Sequence, residues 1–158
     1  MQAPERLGPD APQLAEVLAL IRDSFAYMEG RIDPPSSMHR LTLQGLREQA
    51  QTAEIWGLGR PVRACVVLTP KPECLYLGKL AVAAAARRQG LARQLVDLAV
   101  ARARVLGLPA VELQVRVELR ENQAAFSRLG FVETGRTAHP GYDRPTSVTL
   151  RRPVTPRS

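Results

Sequence analysis

Aromatic residues are scarce in this chain, 4% of 158. No row of rings interleaves its arginines, which argues against a reader of single-stranded nucleic acid. Cysteine is scarcer still. Cys65 and Cys74 lack metal-ligand spacing and form no disulfide framework, so two inert, buried thiols in a reducing compartment are expected. The two histidines, His39 and His139, stand apart beside loop signals, and no metal site is expected. No apolar run approaches the roughly 20 residues that a membrane span needs. The opening MQAPERLGPD lacks the apolar stretch of a secretory signal, so a cytoplasmic protein is expected.

Lysine is nearly absent, and 20 of the 22 basic residues are arginine. A net charge of +7 fits a nucleic-acid partner, an anionic cofactor or an arginine-biased genome, and charge alone does not choose. The 45% hydrophobic and 23% charged content is that of a soluble globular protein, and the length suits one domain, 1–158, without internal repeats.

Periodicity supplies the elements. A short strand is expected at Gln2 to Leu7. A helix follows, with Leu14, Val17, Leu18, Ile21 and Phe25 at helical spacing and Asp10 as its N-cap. The break EGRIDPPSSMHR, where Pro34 and Pro35 stop the helix, precedes a weaker helix from Thr42 to about Ala50. AEIWGLG, VRACVVLTP and CLYLGKLAV then read as an antiparallel meander. A helix is expected from Gly90 to Leu106 with Leu91, Leu95, Leu98, Ala99 and Leu106 on one face, then the alternating strand AVELQVRV. A short helix from Asn122 to Leu129 and the strands FVETGRT and TSVTLRRP, around the loop AHPGYDRP, close the chain. The order is mixed α+β with one strand-helix-strand crossover.

The stretch ARRQGLA sits where a strand gives way to a helix. A helix starting near Gly90 leaves several backbone amides without partners, and its dipole adds partial positive charge. Gly90 and Ala92 keep the backbone approachable, while Arg87 and Arg88 add fixed charge, so the turn is built like a seat for a diphosphate. Taken alone, it reads first as a capped helix start with solvated arginines, and only its context favours the anion seat.

Its surroundings resemble the GNAT superfamily of acyl-CoA-dependent N-acyltransferases, whose fingerprint is Gln or Arg, two residues, Gly, one residue, then Gly or Ala. Arg87, Gly90 and Ala92 fit it. LGKLAV looks like that family's fourth strand, and ENQAAFSRLGFVETG is similar to its second motif. The resemblance implies a single-domain α+β (α/β) fold: a mixed central sheet of six to seven strands with about four helices, splayed between strands four and five. It implies acetyl-CoA as donor. The backbone of Leu80, Ala81 and Val82 would pair with pantetheine, the turn Arg87, Arg88, Gln89, Gly90, Leu91 and Ala92 would hold the pyrophosphate, and Asn122 and Phe126 would line the arm. On strand alternation, Tyr76, Gly78, Leu80 and Val82 share one face and Leu77, Lys79 and Ala81 the other.

The implied reaction is attack of a neutral primary amine of a small molecule or peptide on the thioester, in a ternary complex. A backbone N–H near Leu80 would steady the oxyanion. Many relatives return the proton to sulfur from a tyrosine four residues before the Gly-Phe, where this chain has Phe126. Tyr142 is the first substitute, Tyr76 and Ser127 follow, and Glu112 is the candidate base. Acceptor contacts are expected from Tyr27, Arg31, His139, Tyr142 and Arg144, arginines suiting an anionic amine and Asp33 or Asp143 a basic one. A non-catalytic acyl-CoA binder is the alternative, a basic nucleic-acid module a more remote one, and a homodimer is compatible with the sequence.

Overall fold

The structure, a computed structural model, describes residues 3–155 and all their side chains but that of His39. Gln2, where the first strand was expected to open, lies outside the described residues. The elements are β1 (Glu5–Leu7), α1 (Leu14–Ala26), α2 (Leu43–Thr52), β2 (Glu54–Leu58), β3 (Ala64–Pro70), β4 (Leu75–Val82), α3 (Leu91–Val105), β5 (Ala110–Arg116), α4 (Arg120–Arg128), β6 (Val132–Thr137) and β7 (Ser147–Pro153).

The strands form a single seven-stranded sheet in the order β1-β2-β3-β4-β5-β7-β6. β2 to β4 make the expected antiparallel meander, and β1 pairs antiparallel with β2. The α3 crossover makes β4 and β5 parallel, and β7 lies antiparallel between β5 and β6. The mixed, splayed α+β sheet with four helices implied by the resemblance is thus what the chain adopts. Among the described residues no helix is long and apolar enough to cross a membrane.

Each face of the sheet is closed by helices. Leu14, Val17 and Ile21 of α1 and Leu46 of α2 pack with Ile55, Cys65, Val67 and Ala81 on one side. On the other, Leu95, Val96, Ala99 and Ala103 of α3 pack with Val66, Leu68, Leu77, Val111 and Leu113. The α3 stripe therefore runs through Val96, Val100 and Ala103, while Leu106, expected on it, is 39% exposed just beyond the helix end.

Asp10 does not cap α1. Turns in which the Ala11 amide meets the Gly8 carbonyl and the Leu14 amide the Ala11 carbonyl, each at 3.1 Å, take up the intervening residues. The helix begins after Gln13, with no side-chain cap. Thr42 caps α2 as expected, its hydroxyl accepting from the Gly45 amide at 3.0 Å. α4 starts two residues before Asn122 and has no fully buried side chain.

Candidate active site

β4 and β5 pair only at Leu75 with Val111 and Tyr76 with Glu112. Beyond that apex they part, and β4 from Leu77 onward has no partner on its β5 side. On its other flank the register with β3 slips, since Cys65 pairs with Ala81 but Val67 with Gly78. The extra residue falls at Lys79 and Leu80, and Lys79 takes φ of 51°, a left-handed value that marks a bulge. The simple alternation expected for β4 is therefore wrong beyond Gly78. Leu77 and Val82, five apart, both lie against the α3 side core, while Ala81 faces α1. One inserted residue exchanges the faces.

α3 opens on Gly90, which holds φ of 77° and has no side-chain cap. The first helical bond runs from the Gln94 amide to the Gly90 carbonyl at 3.0 Å, so the amides of Leu91, Ala92 and Arg93 have no partner within the helix. Arg88 is also left-handed, with φ of 66°. A Cβ built on Gly90 would meet nothing within 4 Å. The glycine is thus required by the turn's conformation, and the space before it is open. Gln89 Oε1 accepts from Arg63 at 3.1 Å. Between this turn and α4 lies a trough of about 570 Å³ lined by Arg87, Arg88, Ala92, Ala125 and Leu129. A second hollow, of about 320 Å³, joins Arg87 to Leu80, Val82, Tyr27 and Glu121.

The predicted arm and acceptor residues divide into three groups. Asn122 donates to the Tyr27 hydroxyl at 3.1 Å, and Arg31 pairs with Glu121 while its guanidinium lies over the Tyr27 ring. Phe126 meets Phe131 edge-on at 5.7 Å between centroids. Tyr142 donates to Asp33 at 2.6 Å and Arg144 meets the same carboxylate at 3.2 Å, binding the β6–β7 loop to the α1–α2 loop. Ser127 is exposed on α4.

Within the wedge a cavity of about 320 Å³ is lined by Tyr76, Lys79 and Leu80 of β4, Gln114 and Arg116 of β5, and His139, among others. Tyr142 and Glu112 are not in its wall, and Glu112 is held by Arg151 at 3.0 Å. Burial raises Tyr76 above the ordinary tyrosine value, with a hydrogen bond from the Gln114 backbone opposing; the phenol thus reaches across the gap near its apex. Burial, then the charge of Arg116, lowers His139. Burial alone lowers the Lys79 ammonium. Sequence reasoning passed over Lys79 and Arg116, although a lysine inside an apolar strand is itself a signal.

The Acetyltransferase (GNAT) family matches residues 17–131, from α1 through the Gly130–Phe131 step before β6. The chain belongs to this family. Family membership carries acetyl-CoA-dependent acetyl transfer at the general level. Solved structures agree in fold. An acetyltransferase of the GNAT family from Staphylococcus aureus Mu50 superposes with a TM-score of 0.73 at 14% identity, over 97% of this chain and 100% of that one. An acetyltransferase from Streptococcus agalactiae 2603 gives 0.73 at 15% identity, over 96% and 98%. The ribosomal-protein-S18-alanine N-acetyltransferase of Escherichia coli gives 0.68 at 20% identity, over 100% and 97%. No curated protein matches the chain.

Proposed function

We propose that residues 1–158 act as one cytoplasmic N-acetyltransferase domain that moves an acetyl group from acetyl-CoA to a primary amine of a small molecule or peptide, by direct attack in a ternary complex. The parting of β4 from β5 after Tyr76 carries this reading, because a strand flank opening on a cavity can accept a pantetheine arm as an added strand. The residues fit the donor. Leu80 to Val82 would pair with the arm, the Leu91 and Ala92 amides with Arg87 and Arg88 would take the pyrophosphate, and Asn122 and Phe126 would border the arm. Bound there, acetyl-CoA supplies the thioester.

The amine nitrogen bonds to the carbonyl carbon, the C–S bond breaks with its electron pair on sulfur, one amine proton leaves and one proton reaches the thiolate. The bulge leaves the Leu80 amide without a register partner on either flank, which suits it to hold the oxyanion. His139 is our candidate base. Thr146 Oγ1 accepts from the His139 amide at 2.9 Å and donates to the Thr137 carbonyl at 3.4 Å. Its short contact with Nδ1 then has the ring N–H as donor and leaves Nε2 a free lone pair. Tyr76, kept protonated by burial and set in the same wall, is our candidate to return the proton; Glu112, paired with Arg151, steadies the apex. Tyr27, Arg31, Tyr142 and Arg144 shape the acceptor's entrance.

Thiol release over a panel of amines, measured beside acetyl-CoA calorimetry, tests the function. Amine-dependent release supports it. Tight acetyl-CoA binding without release for any amine would make the chain a non-catalytic acyl-CoA binder.

A further inference from the structure

The wedge cavity carries charge of one sign. Among the described residues its wall holds two cations, Lys79 from β4 and Arg116 from β5, beside the neutral His139, and no acidic side chain. The acids of the neighbouring loop are occupied or lie elsewhere: Asp33 is held by Tyr142 and Arg144, and Asp143 is outside the wall. Glu118 is close enough to Arg116 to favour its charge, but its carboxylate accepts from the Asp33 amide and is also outside the wall. Arg116 itself donates to the carbonyls of Pro34 at 2.8 Å and Pro35 at 3.2 Å, which fixes its position, and the charges of Glu118, whose Oε1 is buried without a partner, and of Asp33 offset part of its own from outside the wall.

Lys79 is the less ordinary of the two. It is half-buried, and the hydrogen bonds and ion pairs of the described residues give it no counterion. Desolvating an ammonium without a partner is costly, and the bulge at φ of 51° adds backbone strain at the same residue. A group of opposite charge entering the cavity would relieve the desolvation.

Resting on the acetyltransferase reading, we propose that the acceptor is an amine bearing a carboxylate, of the amino-acid class, and that Lys79 and Arg116 hold this carboxylate inside the wedge. The chemistry is consistent with what the attack requires. Cations nearby disfavour the ammonium form of the acceptor and favour the neutral amine that attacks, while polyamines and other purely cationic acceptors are repelled. The carboxylate could instead belong to a dicarboxylic acyl donor. The acceptor is favoured because the same wall is completed by Ser36 and Met38 of the α1–α2 loop and by His139, away from the α3 turn where the diphosphate is placed.

The test compares matched acceptors, α-amino acids against their carboxamides, with acetyl-CoA as donor. Wild type should favour the carboxylate members by at least about 10-fold in kcat/KM, about the factor that one charge-assisted contact supports. Lys79→Gln should bring the ratio close to one with acetyl-CoA affinity unchanged by calorimetry, and Lys79→Arg should keep the preference. Equal use of the two members, or a preference that survives in folded Lys79→Gln, overturns the proposal. Succinyl-CoA arms with an uncharged amine separate the sources: a Lys79-dependent preference for succinyl-CoA over acetyl-CoA places the carboxylate on the donor and also overturns it. If no amine releases thiol, the acetyltransferase reading has failed, and titration of N-acetyl amino acids into CoA-loaded protein still decides this one. Binding that Lys79→Gln loses supports it, and no binding by wild type overturns it.

Discussion

The Tyr142 hydroxyl lies 2.6 Å from Asp33 Oδ1, and Arg144 reaches the second oxygen of the same carboxylate at 3.2 Å. The hydrogen bond to Asp33, with burial and the Asp33 charge adding to it, raises Tyr142 above the ordinary tyrosine value. Its proton is engaged in fastening two loops. Tyr142→Phe should therefore raise the acceptor KM several-fold and leave kcat within about threefold, the pattern of lost uniform binding. Steady-state kinetics with the acceptor varied will show this. A kcat loss near 100-fold at unchanged KM would instead return Tyr142 to the role of proton donor.

His139 should set the acidic limb of activity. A base must be neutral to work, and burial with the Arg116 charge lowers His139 from its usual 6.5. The rate should then hold near pH 7 and fall as pH drops below the usual 6.5. His139→Gln should cost about 100-fold in kcat and remove the limb. pH profiles of kcat/KM for both proteins make the comparison; a limb unchanged in the variant belongs to another group.

Gly90 separates conformation from occupancy. With φ of 77° and open space where a Cβ would stand, Gly90→Ala should cost about 1 kcal/mol of stability and little acetyl-CoA affinity. Gly90→Glu puts a carboxylate before the Leu91 and Ala92 amides and should weaken acetyl-CoA by at least about 30-fold, through loss of the helix-terminus anion site. Calorimetry beside thermal unfolding distinguishes the two effects. Equal affinities for both variants would remove the diphosphate from this turn.

Stability has its own charge pair. Glu54 is 5% exposed, and Arg102 grips it with two bonds of 2.7 Å while the Trp56 indole donates at 3.0 Å. Burial alone would raise the Glu54 carboxyl, but these bonds and the charges of Arg102 and Arg6 outweigh it and hold it below 4.5. A carboxylate lowered on folding contributes stability above its unfolded value, and the contribution is lost as pH falls through the folded one. Glu54→Gln should cost about 2 kcal/mol at pH 7, less than a fully buried broken pair because Arg102 is partly exposed. By urea unfolding, the gap from wild type should narrow towards pH 3.

Much of the fold was legible because its signals are local. The apolar run of β3, the alternation of β5, the Thr42 cap and the Gly90 turn each depend on near neighbours in sequence. The α1 start was missed because turns before it displaced the Asp10 cap. The β4 faces were misassigned because a bulge leaves no mark in residue type. The candidate site was legible where the family motif sets backbone conformation, in the left-handed turn at Gly90 that opens α3. Its side chains depend on contacts over long separations, as Asp33 with Tyr142 or Asn122 with Tyr27, which no spacing reveals.

Amide hydrogen exchange with and without acetyl-CoA tests the account's central claim most directly, because it reads the wedge and the anion seat in one experiment without needing the acceptor. The account predicts that saturating acetyl-CoA slows exchange at the amides of Leu80 to Val82 and of Leu91 to Arg93, with β1 and β2 unchanged. Saturation of the protein with neither segment protected would contradict it.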